Sequence, residues 1–249
     1  MDVAGWLIFL AAVFTGSYVQ SVTGFAMGMI VIAVVGASGV ISLPVLTAAA
    51  SLITMVNVVV ALQGHTRHID WRIFLLLGAG QIPAIGFGVW LLTQLDREAQ
   101  WLLELLLGSF ITLGSLSMML RPHPLKQVSP SWACLGAGIA GGVVGGMFSA
   151  SGPIIGWFNY RQPLGLVVIR ATLLCSFALT TTTRTIVVGA QGGLTADVLW
   201  LSLVAIPLVV LGTWLGRELP PPVSETTMKR LAFGLLLIMG VWIVFNALR

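Results

Sequence analysis

Arg170 and Arg184 stand 14 residues apart inside one apolar run that contains no Asp or Glu to neutralise them. Fourteen residues is close to four helical turns, so a helix would project both from nearly one face, with Phe177 and Thr181 between them. A guanidinium in hydrocarbon costs at least about 2.5–3.5 kcal/mol on insertion scales. Two readings follow, and both stay open at this level: each arginine holds an anion, or each snorkels to the nearer interface. Around them lie the hydroxyls Thr180 to Thr183, and on an earlier run Thr47, Ser51, Thr54 and Asn57. Such hydroxyls either bond to their own helix or line a permeation path. Enzyme chemistry is poorly served. His65 and His68 share a short basic loop with Asp70 and no cysteine, His123 lies between prolines, and no phosphate loop, nucleophile elbow or intramembrane acid pair occurs. No catalytic residue, metal site or cofactor is expected.

Two polar breaks must position these groups. Phe148-Ser149-Ala150-Ser151-Gly152-Pro153 interrupts the apolar run from Trp132 to Trp157, and a weaker echo at Gln20 to Gly28 interrupts the first run, with Gly28 lying 124 residues before Gly152. Gly-Pro cannot continue a regular helix, because proline lacks the N–H and disfavours the α conformation in the residue before it. Gly28 and Gly152 are expected to need room or unusual dihedrals. Opened backbone within hydrocarbon is tolerated only against protein or a water-filled cavity, so the two breaks predict one polar site inside a bundle.

With 57% hydrophobic and 8% charged residues over 249 positions and a mean hydropathy of +1.02, the chain reads as an integral membrane protein rather than a soluble domain with about 25% charge. The net charge of +4 comes from residues in short gaps between apolar runs, which is a topology signal; no basic cluster remains for nucleic acid. Cys134 and Cys175 lie in apolar segments and read as small core residues. The start of the chain lacks a basic leader pattern, so no cleavage is expected.

Apolar runs fall at about 4–40, 42–63, 71–94, 101–120, 132–158, 165–190, 197–216 and 228–248. Between them lie loop signals at 65–68, 96–98, 121–124, 191–193 and 220–222. Offset by 124, Ile82-Pro83 meets Ile206-Pro207 and Trp90-Leu91 meets Trp214-Leu215, which predicts duplication. If all eight runs were simple spans, basic residues would split evenly between sides. If the first run of each half is instead a re-entrant hairpin, Arg67, Arg72, Arg121, Lys126, Arg161, Arg217, Lys229 and Arg230 share one side, with Arg97 and Arg249 opposite. By the positive-inside rule the first side is cytoplasmic and both termini lie outside. The competing reading is one long kinked helix in each half. The expected fold is thus an all-α polytopic membrane protein of two inverted repeats, each a broken re-entrant hairpin plus three transmembrane helices: 1–120, a cytoplasmic linker at 121–131, and 132–249.

Thr-Gly-Phe-Ala-Met-Gly at 23–28, Ser-Ala-Ser-Gly-Pro at 149–153 and Arg170-Ala171-Thr172 resemble the sulfite exporter TauE/SafE family, also grouped with toluene-sulfonate uptake permeases. The resemblance covers nearly the whole chain. It departs at Ala26, where many members carry glycine, and at Ser149 and Ser151, in a region often richer in glycine. It implies a secondary transporter of small sulfur-containing anions, such as sulfite or organosulfonates, in the cell (inner) membrane, working as an exporter. The expected substrate-binding set is Gln20, Thr23, Gly24, Gly28, Asn57, Ser149, Ser151, Gly152, Pro153, Arg170, Thr181 and Arg184. Expected partners are the anion, the lipid bilayer, a coupling ion (H+ or Na+) and further copies of the chain in a homo-oligomer, with no nucleic acid. An anion channel and a non-transporting membrane scaffold are the alternatives.

Overall fold

The computed structural model describes residues 3–64, 66–119, 124–219 and 225–248. His65, Arg121, Pro122, His123, Pro220 to Pro222 and Arg249, which the sequence places in loops or at the terminus, lie outside the described residues, as does the side chain of Lys229. Every regular element of the described chain is a helix: α1 (Val3–Thr23), α2 (Met27–Ser38), α3 (Leu43–Leu62), a 3-10 turn (Thr66–His68), α4 (Trp71–Glu98), α5 (Gln100–Met119), α6 (Ser131–Phe148), α7 (Gly152–Tyr160), α8 (Leu166–Ala190), α9 (Ala196–Glu218) and α10 (Glu225–Ala247). Seven of these are long and apolar enough to cross a membrane: α1, α3, α4, α5, α6, α8 and α9. Large apolar side chains such as Leu7, Phe87, Ile139, Ile186, Leu203 and Ile238 are exposed on the outside of the bundle. Water would oppose such a surface, and lipid accepts it. The protein is a multi-pass membrane protein.

Both polar breaks open the helix, and at both the chain turns back on itself. A Cβ added at Gly16 would lie 3.3 Å from the Met27 backbone, and one at Gly141 would meet the Ile155 side chain. Along a straight helix those pairs would be about 16 and 21 Å apart, so the long kinked helix is excluded in each half. One loop expectation needs correction. Asp96, Arg97 and Glu98 belong to α4, which yields to α5 only at Ala99 (φ −152°, ψ 61°). Charged residues do not break a helix that ends at an interface, and Arg97 suits the negative end of the α4 dipole.

Small residues set how closely the helices approach. Gly138, Gly142 and Gly146, one per turn of α6, lie against the backbone of Leu77, Gln81 and Ile85 on α4. The GxxxG spacing is therefore a parallel helix seam. Likewise Gly212 and Gly216 of α9 pack on Phe14, Ser17, Tyr18 and Ser21 of α1, again in parallel. The principal pairings between the halves exchange when the halves are swapped: α1 with α9 and α6 with α4, α3 with α9 and α8 with α4, α2 with α10 and α7 with α5. The remaining two join counterparts, α3 to α8 and α5 to α10. Gly108 meets Val244 while Thr112 meets Gly240, so α5 and α10 run antiparallel. Arg184 bonds Thr47 and Ser51 while Thr182 reaches Met55, so α3 and α8 also run antiparallel. Counterpart caps start counterpart helices: Asp70 accepts from Ile73 N at 3.0 Å and Thr195 from Val198 N at 3.4 Å. Cys134 and Cys175 are free thiols.

Candidate functional site

The two breaks meet. Residues 24–26 separate α1 from α2 and residues 149–151 separate α6 from α7. A Cβ at Gly28 would collide with the Ser149 carbonyl oxygen, so the start of α2 rests directly on the second break. Unusual dihedrals fall at Gly24 (φ 84°), Ala26 (φ 114°) and Ser149 (φ 52°). Gly152, expected to need space, does not: a Cβ there would sit 3.5 Å from Phe25, an ordinary contact. The turn is made one residue after α6, at Ser149, which takes the left-handed cap position that glycine fills more cheaply. Ala26 bears a similar load, and Ala26→Gly should raise stability by about 1 kcal/mol, read as a rise in melting temperature of about 2–4 °C.

Between the breaks lies a cavity of about 20 Å³ lined by Gln20, Ala26, Gly28, Met29, Thr54, Ser149, Ala150, Ser151, Gly152, Phe177, Thr180 and Thr181. That is room for one or two water molecules. Six of these residues were expected from sequence: Gln20, Gly28, Ser149, Ser151, Gly152 and Thr181. The N-termini of α2 and α7 both reach the cavity, and the first turn of a helix holds N–H groups without intrahelical partners. Pro153 removes one such N–H from α7. Thr54, Thr180, Phe177, Ala26, Met29 and Ala150 were not in the expected set. Thr54 had a signal, since it lies one turn from both Ser51 and Asn57.

The other expected residues stand behind the wall. Thr23 donates to the carbonyls of Val19 (2.8 Å) and Phe25 (2.6 Å), closing the first turn. Gly24 packs against the Arg170 stem, with 3.4 Å from its virtual Cβ to Cγ. Pro153 packs against Gly114. Asn57 accepts from Gln20 Nε2 and donates to Thr213 Oγ1 at 2.6 Å, while Gln20 Oε1 accepts from Met27 N at 3.0 Å. That chain of bonds fastens the first break to α3 and α9. Tyr160 donates to the Thr23 carbonyl at 3.0 Å, tying the end of α7 to the first break.

Arg184 neither snorkels nor opens onto the cavity. It is 1% exposed, and its fork is spent on neutral acceptors: Nε to the Gly146 carbonyl (2.8 Å), Nη1 to the Thr47 carbonyl (2.7 Å) and Ser51 Oγ (2.8 Å), and Nη2 to Thr47 Oγ1 (2.7 Å). Gly146 is in the last turn of α6, whose carbonyls lack helical partners and favour a cation. Ser51 Oγ in turn lies 3.0 Å from Ser149 Oγ. Arg170 is partly buried about 21 Å away along α8, beside the first break. Among the described residues no group of three or more His, Cys, Asp and Glu side chains is placed to hold a metal ion.

The chain is similar to known proteins over most of its length. The family model for sulfite exporter TauE/SafE matches residues 8–243. A protein of Cupriavidus necator named probable sulfite/organosulfonate exporter TauE is 41% identical over 233 residues, 94% of this chain and 91% of the relative. A Comamonas testosteroni protein named probable inner membrane transporter protein TsaS is 30% identical over 184 residues, 71% of this chain and 75% of that protein. No solved structure matches. The chain therefore belongs to the sulfite exporter TauE/SafE family of membrane transporters.

Proposed function

We propose that this protein is a secondary transporter that exports a small sulfur-containing anion, sulfite or an organosulfonate, across the cell (inner) membrane through the cavity between its two breaks. The observation that carries the reading is the convergence of two half-helix N-termini on one cavity with hydroxyl and amide walls and no carboxylate. Such ends favour an oxyanion by partial charge and by free N–H groups. The names of the two relatives point to the same substrate class and to a membrane. A cavity with room for one or two waters is not a pore, which favours a carrier over a channel. A four-atom oxyanion enters when the hairpins part.

The proposal includes inverted repeats at 1–120 and 132–249 joined by a cytoplasmic linker at 121–131. It is supported by the antiparallel course of the counterparts α3 and α8, and of α5 and α10, since repeats related by an axis in the membrane plane must oppose one another. Both termini are then outside. In a background lacking Cys134 and Cys175, cysteine at exposed Gln191 should react with an impermeant thiol reagent added to intact cells, and cysteine at exposed Lys126 should not. The reverse pattern would invert the topology.

Coupling to an H+ or Na+ gradient and homo-oligomeric assembly are further parts of the proposal. Proteoliposomes test the function: uptake of labelled sulfite or a simple sulfonate should depend on an imposed H+ or Na+ gradient. Passive, gradient-independent flux would indicate a channel, and no flux with no ligand-dependent thermal stabilisation would indicate a scaffold.

A further inference from the structure

The cavity wall carries no charged side chain, yet the proposed cargo is an anion. The nearest charge whose hydrogen bonds lead there is Arg184, two bonds away: Nη1 to Ser51 Oγ at 2.8 Å, then Ser51 Oγ to Ser149 Oγ at 3.0 Å, with Ser149 on the wall. We propose that Arg184 selects for an anion without touching it, by setting a hydroxyl relay through Ser51 that turns Ser149 into a polarised donor. This rests on the reading that the substrate occupies this cavity.

The relay follows from counting hydrogens. Ser51 accepts from Arg184 and has one hydrogen to give, for which two acceptors stand at equal distance, the Thr47 carbonyl and Ser149 Oγ, each at 3.0 Å. If Ser51 donates to Thr47, Ser149 spends its own hydrogen on Ser51 and offers the cavity only lone pairs. If Ser51 donates to Ser149, the Ser149 hydrogen is released toward the cavity. An anion there favours the second setting, because every bond from guanidinium to ligand then points the same way and each strengthens the next. A neutral acceptor gains less, having no charge to meet the arginine field.

A second donor awaits the ligand independently. Thr54 is 5% exposed and lines the cavity, and its hydroxyl has no hydrogen-bond partner among the described residues. Buried hydroxyls are nearly always paired, so an orphan facing a cavity marks a place where a ligand or water belongs. Thr180 and Thr181 differ: their hydroxyls donate to the Ser176 and Phe177 carbonyls at 2.9 Å. Beside the helix N-termini, Ser149 and Thr54 are the side chains that meet the anion, while Arg184 and Ser51 are positioning residues.

The test compares an anion with a neutral molecule of nearly the same shape, methanesulfonate and methanesulfonamide, by the ratio of their dissociation constants on the purified full chain. Wild type should prefer the sulfonate. Ser51→Ala leaves Arg184 three of its four bonds and should lose about tenfold to a hundredfold of that preference, with sulfonamide binding unchanged within about twofold. Ser149→Ala leaves the whole arginine cradle in place and should show the same loss, which covers the case in which Ser51→Ala does not fold. Thr54→Val should weaken both ligands. Undiminished preference in Ser149→Ala, with Thr54→Val still weakening binding, would overturn the relay and leave the site standing. Sulfonate binding that none of the three variants alters would overturn the site, and the relay with it.

Discussion

Gly28→Leu is expected to abolish anion binding and transport while the protein still reaches the membrane. A Cβ at residue 28 would fall on the Ser149 carbonyl oxygen, a backbone atom that cannot swing aside as a side chain can. The start of α2 and the second break must therefore separate, and the shared cavity is lost. Gly28→Ala adds the smallest possible group, and overpacking of that kind costs about 1–3 kcal/mol; binding should weaken by about tenfold or more. Gly156→Ala, just over one turn along α7 from Gly152, is the matched control. There a Cβ would find Met118 and Phe25 at 3.7 and 3.8 Å, ordinary contacts, so binding should stay within about twofold of wild type. Sulfonate affinity of the three purified variants decides the matter.

The second large effect falls on stability. Arg184→Leu removes the donor from the Gly146 carbonyl, the Thr47 carbonyl, Thr47 Oγ1 and Ser51 Oγ together. Hydroxyls can find other partners within their helix and the Thr47 carbonyl keeps Ser51 Oγ at 3.0 Å, but the buried Gly146 carbonyl left unpaired costs about 1–3 kcal/mol, on top of the charge-assisted bonds lost. A loss of about 3 kcal/mol or more, seen as a melting temperature lower by on the order of 10 °C, is expected, with the second hairpin loosened from α3. Arg184→Lys should recover only part of this, because an ammonium offers a point charge where the fork reaches four acceptors in three directions. A snorkelling arginine would tolerate lysine without loss, so equal stability of Arg184→Lys and wild type would contradict the cradle.

Much of this was legible in the residues. Gly-Pro at 152–153 and the polar stretch before it had to open a helix, and both breaks do open, at residues 24–26 and 149–151. Glycines recur every four residues at 138, 142 and 146, a spacing that serves close helix packing, and they do meet α4. What failed to show was direction. Arg184 invited an anion because nothing in its own helix neutralises it, but its partners lie on α3 and α6, 133 to 137 residues and 38 residues away in sequence. Periodicity cannot see such partners. Likewise Asn57 and Thr54 are one turn apart on α3, yet the first is consumed by Gln20 and Thr213 while the second faces open space; the placement of α1 and α9 decides between them. The demand for glycine was placed rightly at Gly28 and wrongly at Gly152, for the same reason. Proline marks Gly152, whereas the tight approach is at Gly28, set by a carbonyl 121 residues later in the chain.

The central claim is that the anion sits where the two breaks meet. Ala150 lines that cavity, is small and is 6% exposed, so a cysteine there, in a background lacking Cys134 and Cys175, reports occupancy at the point in question. Its rate of reaction with a small methanethiosulfonate reagent, measured in transport-competent proteoliposomes, should fall about tenfold or more at saturating methanesulfonate, while cysteine at lipid-facing Ile139 is unaffected. An unchanged rate at position 150, in a variant that still transports the sulfonate, would place the site elsewhere.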